Sequence, residues 1–75
     1  MADEPRITLD PQILAGKPII RGTRLSVEFV VGLLAQGWSH EDLIRQYPGV
    51  TTPDINACLA YAHDALAAER VYPVG

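Results

Sequence analysis

Cysteine, aromatic residues and cations are all scarce in these 75 residues, and each shortage closes off a class of function. Cys58 stands alone, so no internal disulfide can form, and no second thiol or metal ligand lies at a useful spacing; it reads as core filler. His40 and His63 lie far apart, with no third nitrogen or paired carboxylate at metal-ligand spacing. Apolar runs are too short and too interrupted to cross a bilayer. A basic start followed by an apolar stretch and a cleavage site is also missing, so the chain is expected in the cytoplasm. Six Lys and Arg against nine Asp and Glu leave a net charge of −3, whereas a free-standing nucleic-acid binder is ordinarily basic. No nucleophile has a base in local view, Glu41-Asp42 reads as a helix start rather than an acid/base pair, and "GKPIIRGT" lacks P-loop spacing. No catalysis, cofactor, metal or small-molecule substrate is therefore expected.

What the chain does have is hydrophobic content, 48%, enough for one small domain with a modest core. So small a core points to a partner or a self-interface. The organisation reads as an extended arm over residues 1–25, a helical core over 26–69 and a tail over 70–75. The arm carries Arg6, Lys17, Arg21 and Arg24 against Asp3, Glu4 and Asp10, a balance of +1, and the remaining −4 lies beyond it. A polyanion therefore meets its most favourable surface in the first third of the chain.

Within the arm, "RITLDP" alternates apolar Ile7 and Leu9 with polar residues and closes on a turn at Asp10-Pro11. Pro18 biases Lys17 toward extended geometry, Ile19 and Ile20 are β-branched, and Arg21-Gly22 suits a tight turn because glycine accepts positive φ. Two readings follow: a small hairpin with Thr23 to Leu25 as its return arm, or an irregular loop entering a helix. On the hairpin reading Ile19 and Ile20 form an exposed edge that pairs with its twin, giving a homodimer.

Three helices are expected after it. Ser26 caps the first, Val27 to Gln36, whose Val27, Val30, Val31 and Leu34 recur on one face before Gly37 ends it. "SHED" is a capping box, Ser39 with Asp42, opening a short helix that turns Leu43 and Ile44 inward and stops at Tyr47. Trp38 fits the joint between these two helices. Thr52 is the expected cap of the third helix, with Pro53 at its first position, an inner stripe of Ile55, Leu59, Ala62 and Leu66, and an end near Glu69.

A short helix, a turn through Pro48-Gly49 and a longer helix is the order of a helix-turn-helix, and the preceding helix completes a three-helix core. The fold class is mainly α, with a short N-terminal β arm or hairpin.

The run from Gly16 to Leu66, with its glycine-x-proline, "RGTR", "GWSHEDL" and "YP" before a threonine-capped helix ending in "AYA", resembles the bacterial domain-of-unknown-function family 433. The resemblance extends from about Ile7 to Leu66. It implies a homeodomain-like helix-turn-helix and a frequent setting beside a PIN-like toxin nuclease, for which members act as VapB-type antitoxins. The expected function is then an antitoxin that neutralises a PIN-like ribonuclease and binds promoter DNA as an autoregulator. The alternative is a small non-catalytic interaction module that touches no DNA.

Candidate contacts follow from these expectations. For DNA they are Thr51, Thr52 and Asn56 at the front of the third helix, Arg45 as a phosphate clamp, and Lys17 and Arg21 as a positive arm. Asp54 counts against DNA there, as a carboxylate at the entering helix end. Arg24 is assigned to holding the arm, through helix-end carbonyls or a carboxylate such as Glu28. For the partner nuclease they are Arg70, Val71, Tyr72 and Val74 of the tail, which either dock outward or fold back on the first helix.

Overall fold

The computed structural model describes residues 6–68. Strand β1, Ile7–Leu9, pairs antiparallel with β2, Pro18–Ile20, in the register Ile7 with Ile20, Thr8 with Ile19 and Leu9 with Pro18. The connection between them turns through a single 3-10 turn at Leu14–Gly16, where Leu14, Ala15 and Gly16 all take positive φ. Three helices follow: α1, Val27–Ala35; α2, His40–Gln46; and α3, Thr52–Ala68. The chain is mainly helical, with a two-stranded sheet ahead of a three-helix core.

The sheet differs from the expected hairpin. Thr23 to Leu25 does not form a second strand; of that pairing the described residues keep an Ile19–Ser26 bridge, the Ile20 N–H bonded to the Leu25 carbonyl at 2.9 Å and the Thr23 N–H bonded to the Ile20 carbonyl at 3.0 Å. The turn itself forms. Gly22 sits at φ +83°, and the Thr23 hydroxyl donates to the Ile20 carbonyl at 2.7 Å while accepting from the Leu25 N–H at 3.0 Å. "RGT" is therefore a turn clasp, with glycine supplying the left-handed residue and threonine closing the backbone.

Pairing with β1 changes the role of Ile19 and Ile20. Both are 1% exposed, and Ile20 packs in one cluster with Val27, Val30, Leu43, Val50, Ile55 and Cys58. They fill the core and offer no edge to a twin, which corrects the dimer contact assigned to them. Burying each contributes roughly 1.5–3 kcal/mol, more than a solvated pairing edge offers so small a chain.

The helix ends follow their signals. The Ser26 hydroxyl accepts from the Phe29 N–H at 2.9 Å. α1 closes with Trp38 N–H bonded to the Leu33 carbonyl, Gly37 N–H to the Leu34 carbonyl, and Gly37 at φ +101°. The Ser39–Asp42 capping box is complete, at 3.0 and 2.9 Å. Trp38 is half-buried and packs against the core after α1.

α3 departs from expectation at its face. Ile55 and Cys58 are fully buried, whereas Leu59 is 39% and Leu66 65% exposed. The stripe is rotated toward Cys58 and is filled only over its first turns.

Candidate functional site

The turn between α2 and α3 is built from its buried residue outward. Val50, 2% exposed, drops into the core while its N–H bonds the Tyr47 carbonyl at 2.9 Å, which sets where α3 begins. Thr51, not Thr52, caps the helix. The Asp54 carboxylate accepts from the Thr51 N–H at 3.0 Å and from its hydroxyl at 2.9 Å, and the Asp54 N–H reaches the same hydroxyl at 3.4 Å. This T-x-x-D pair has the three-residue spacing already used by Ser39 and Asp42, and the same pattern in the sequence marks it.

Asp54 is buried, at 8% exposure, and its other oxygen meets the Arg6 guanidinium at 3.1 Å across 48 residues of chain. Burial alone would raise its carboxyl; the Thr51 N–H, the Thr51 hydroxyl and Arg6 outweigh that and hold it below the usual 3.8. The ionised carboxylate is thus largely buried and paired with Arg6, which offsets its charge at the front of α3. Sequence spacing gives no sign of Arg6, because the partners are remote in the chain.

With Asp54 withdrawn, the front of α3 exposes Thr52, Pro53 and Asn56. Neither Thr52 nor Asn56 uses its side chain in a hydrogen bond among the described residues, while the Thr51 hydroxyl is committed to the cap. Arg45 on α2 is exposed and meets Asp42 on its own helix at 3.4 Å, a solvated contact worth little. The Asp42 carboxyl lies below 3.8 chiefly because the Ser39 N–H and hydroxyl bond it, with Arg45 adding to this. Arg45 also borders a shallow recess of about 290 Å³ beside Trp38 and Gln46.

The basic arm is placed differently from its expected roles. Lys17, assigned to DNA, reaches Glu28 on α1 at 3.4 Å, with both side chains largely in solvent. Arg24, assigned to that anchoring task, is exposed and makes no hydrogen bond or ion pair among the described residues. The two cations flank a cleft of about 550 Å³ whose apolar walls are Leu14, Leu25 and Phe29. Arg21 is exposed, and its backbone N–H bonds the Arg6 carbonyl at 2.7 Å. The tail contacts Arg70, Val71, Tyr72 and Val74 lie outside the described residues.

Comparison with known proteins identifies the family. The profile of DUF433, described as a protein of unknown function, matches residues 7–62, and the chain belongs to that family. It is 36% identical over 56 residues to the uncharacterized protein y4eO of Sinorhizobium fredii (strain NBRC 101917 / NGR234), covering 75% of this chain and 25% of that protein. The chain thus spans about a quarter of that curated relative's length. It is also similar to a DUF433 member from Anabaena variabilis ATCC 29413 whose crystal structure was solved at 2.00 Å: TM-score 0.78, 31% identity, 81% of this chain and 60% of that one. No described helix is long and apolar enough to cross a membrane.

Proposed function

We propose, from this membership and the geometry of α2, its turn and α3, that the chain is a non-catalytic cytoplasmic antitoxin. It neutralises a PIN-like ribonuclease and binds its own promoter DNA through the helix-turn-helix. The observation that carries the DNA half is the inward Asp54: paired with Arg6 and capped by Thr51, it leaves Thr52 and Asn56 as the uncommitted polar groups at a helix N-terminus. Arg45 on α2 supplies a phosphate contact once it exchanges its solvated Asp42 for the DNA backbone. The family resemblance suggests the nuclease, and the apolar tail residues Val71, Tyr72 and Val74 beside Arg70 fit a partner-docking end.

The net charge of −3 weakens binding by a single copy, so promoter affinity rises when a complex presents two or more copies. The alternative, an interaction module without DNA contact, draws on the exposed apolar residues Leu59, Tyr61 and Leu66 of α3. Fluorescence anisotropy on the DNA upstream of its own reading frame, with and without the neighbouring gene product, separates the two. Salt-sensitive preference for that DNA supports the autoregulator; equal affinity for unrelated DNA, or none, leaves only the module.

A further inference from the structure

In a chain with nine carboxylates and six cations, the cleft between the arm and the start of α1 carries charge of one sign. It holds about 550 Å³ and is lined by Leu14, Lys17, Arg24, Leu25, Ser26 and Phe29, two cations and no acid. Arg24 makes no hydrogen bond or ion pair among the described residues. Lys17 meets Glu28 at 3.4 Å with both side chains largely in solvent, a screened contact that it can exchange. The walls are apolar and still open to water, Phe29 at 42% and Leu14 at 44% exposure.

The backbone supports the same reading. Leu14 and Ala15 take φ of +52° and +56°, in the left-handed region that favours glycine, and the turn they form holds the Leu14 side chain at the cleft without burying it in the core. Backbone kept in such conformations clusters where a protein clamps a ligand. Phe29 is braced as well, its ring meeting Tyr47 edge to face at a centroid distance of 5.8 Å, which fixes one wall in advance.

We propose that this cleft takes a short acidic and apolar segment of a partner protein, with one carboxylate on Arg24, a second on Lys17, and an apolar side chain against Leu14, Leu25 and Phe29. Charge complementarity chooses the occupant. A nucleic-acid backbone brings anions but no apolar group for Phe29 and Leu14, and a single-headed acyl acid brings apolar surface but one carboxylate for two cations. A peptide whose carboxylates flank a leucine or phenylalanine brings both. The cleft shares no residue with the front of α3 or with the tail, so the proposal stands whether or not the chain binds DNA.

Titration of the isotope-labelled full chain with the peptide acetyl-Asp-Leu-Phe-Asp-amide, followed by two-dimensional NMR, tests it. Amide shifts are expected at Leu14, at Lys17 and from Arg24 to Phe29, with an affinity that falls as salt rises. The neutral counterpart acetyl-Asn-Leu-Phe-Asn-amide should bind at least about fivefold more weakly, and the acidic peptide should lose as much on Arg24→Ala and on Leu14→Asn, asparagine being a residue that accepts the left-handed turn. Leu9→Ala, at an exposed leucine of β1 outside the cleft, should leave affinity unchanged. The salt series and the neutral peptide use the unaltered chain, so they decide the matter even if a variant fails to fold. No shift at millimolar peptide, equal binding of the neutral peptide, or indifference to both cleft substitutions overturns the proposal. Tighter binding of decanoate at the same residues also overturns it, since a small amphipathic acid is then the occupant. So does a rise in acidic-peptide affinity on combining Asp3→Asn with Glu4→Gln, because the chain's own acidic residues then fill the cleft.

Discussion

Arg6 and Asp54, 48 positions apart, meet at 3.1 Å and join the start of β1 to the first turn of α3. The same carboxylate closes the Thr51 cap, so one buried group holds the arm, the turn and the helix front in register.

Acid should release that clasp. The folded carboxyl of Asp54 lies below its unfolded value of 3.8, so its stabilisation is complete above that value and is lost as pH falls through the folded one. Melting temperature should be flat from neutral pH to about pH 5 and drop below about pH 4. Asp54→Asn should cost about 1–3 kcal/mol at pH 7 and flatten much of the acid slope, leaving the part due to Asp42. Thermal melts of both proteins across this range are the check, and an acid slope unchanged in Asp54→Asn contradicts the assignment.

Core substitutions should follow burial rather than residue type. Ile20→Ala empties a fully buried site and is expected to destabilise by about 2–5 kcal/mol, whereas Leu59→Ala, at 39% exposure, should cost less than about 1. Urea denaturation measures both. Equal losses would mean that Leu59 is as buried in solution as Ile20.

Cys58 should be chemically silent in the folded protein. Burial, aided by the nearby negative Asp54, pushes its thiol up to about 11, which leaves little thiolate at pH 8. Alkylation at pH 8 is expected only at the rate of unfolding and should accelerate sharply in denaturant. Fast modification under native conditions would show that the middle of α3 opens locally.

The proposed DNA contacts should separate by type. Arg45→Ala should lower affinity similarly on all sequences and reduce the salt slope by about one, as loss of one phosphate contact does. Thr52→Val and Asn56→Ala should instead alter preference between DNA sequences. Anisotropy titrations over a salt series distinguish them, and a salt slope unchanged in Arg45→Ala removes that residue from the interface.

Deleting Arg70 to Gly75 should abolish nuclease binding, read by co-purification, and leave the melting temperature unchanged. Retained binding with a lowered melting temperature would place the tail's contacts within its own chain.

Most of the helical core is legible in the sequence because its signals are short-range. Ser26, Ser39 with Asp42, and Gly37 each act within one turn of helix, so they set the bounds of α1 and α2 without reference to the rest of the chain. The Gly22 turn is equally local. Even the cap of α3 is written in the T-x-x-D spacing of Thr51 and Asp54, although Thr52 satisfies a simpler cap rule one position later. Only the tertiary structure decides which strand pairs with β2, because β1 competes with the nearer Thr23 to Leu25 and wins by burying Ile19 and Ile20. It alone turns Asp54 inward to Arg6 and assigns Glu28 to Lys17 rather than Arg24. It also decides how far the stripe of α3 is filled: periodicity states which face is apolar, but burial depends on what the rest of the chain can reach, and here it reaches only as far as Cys58.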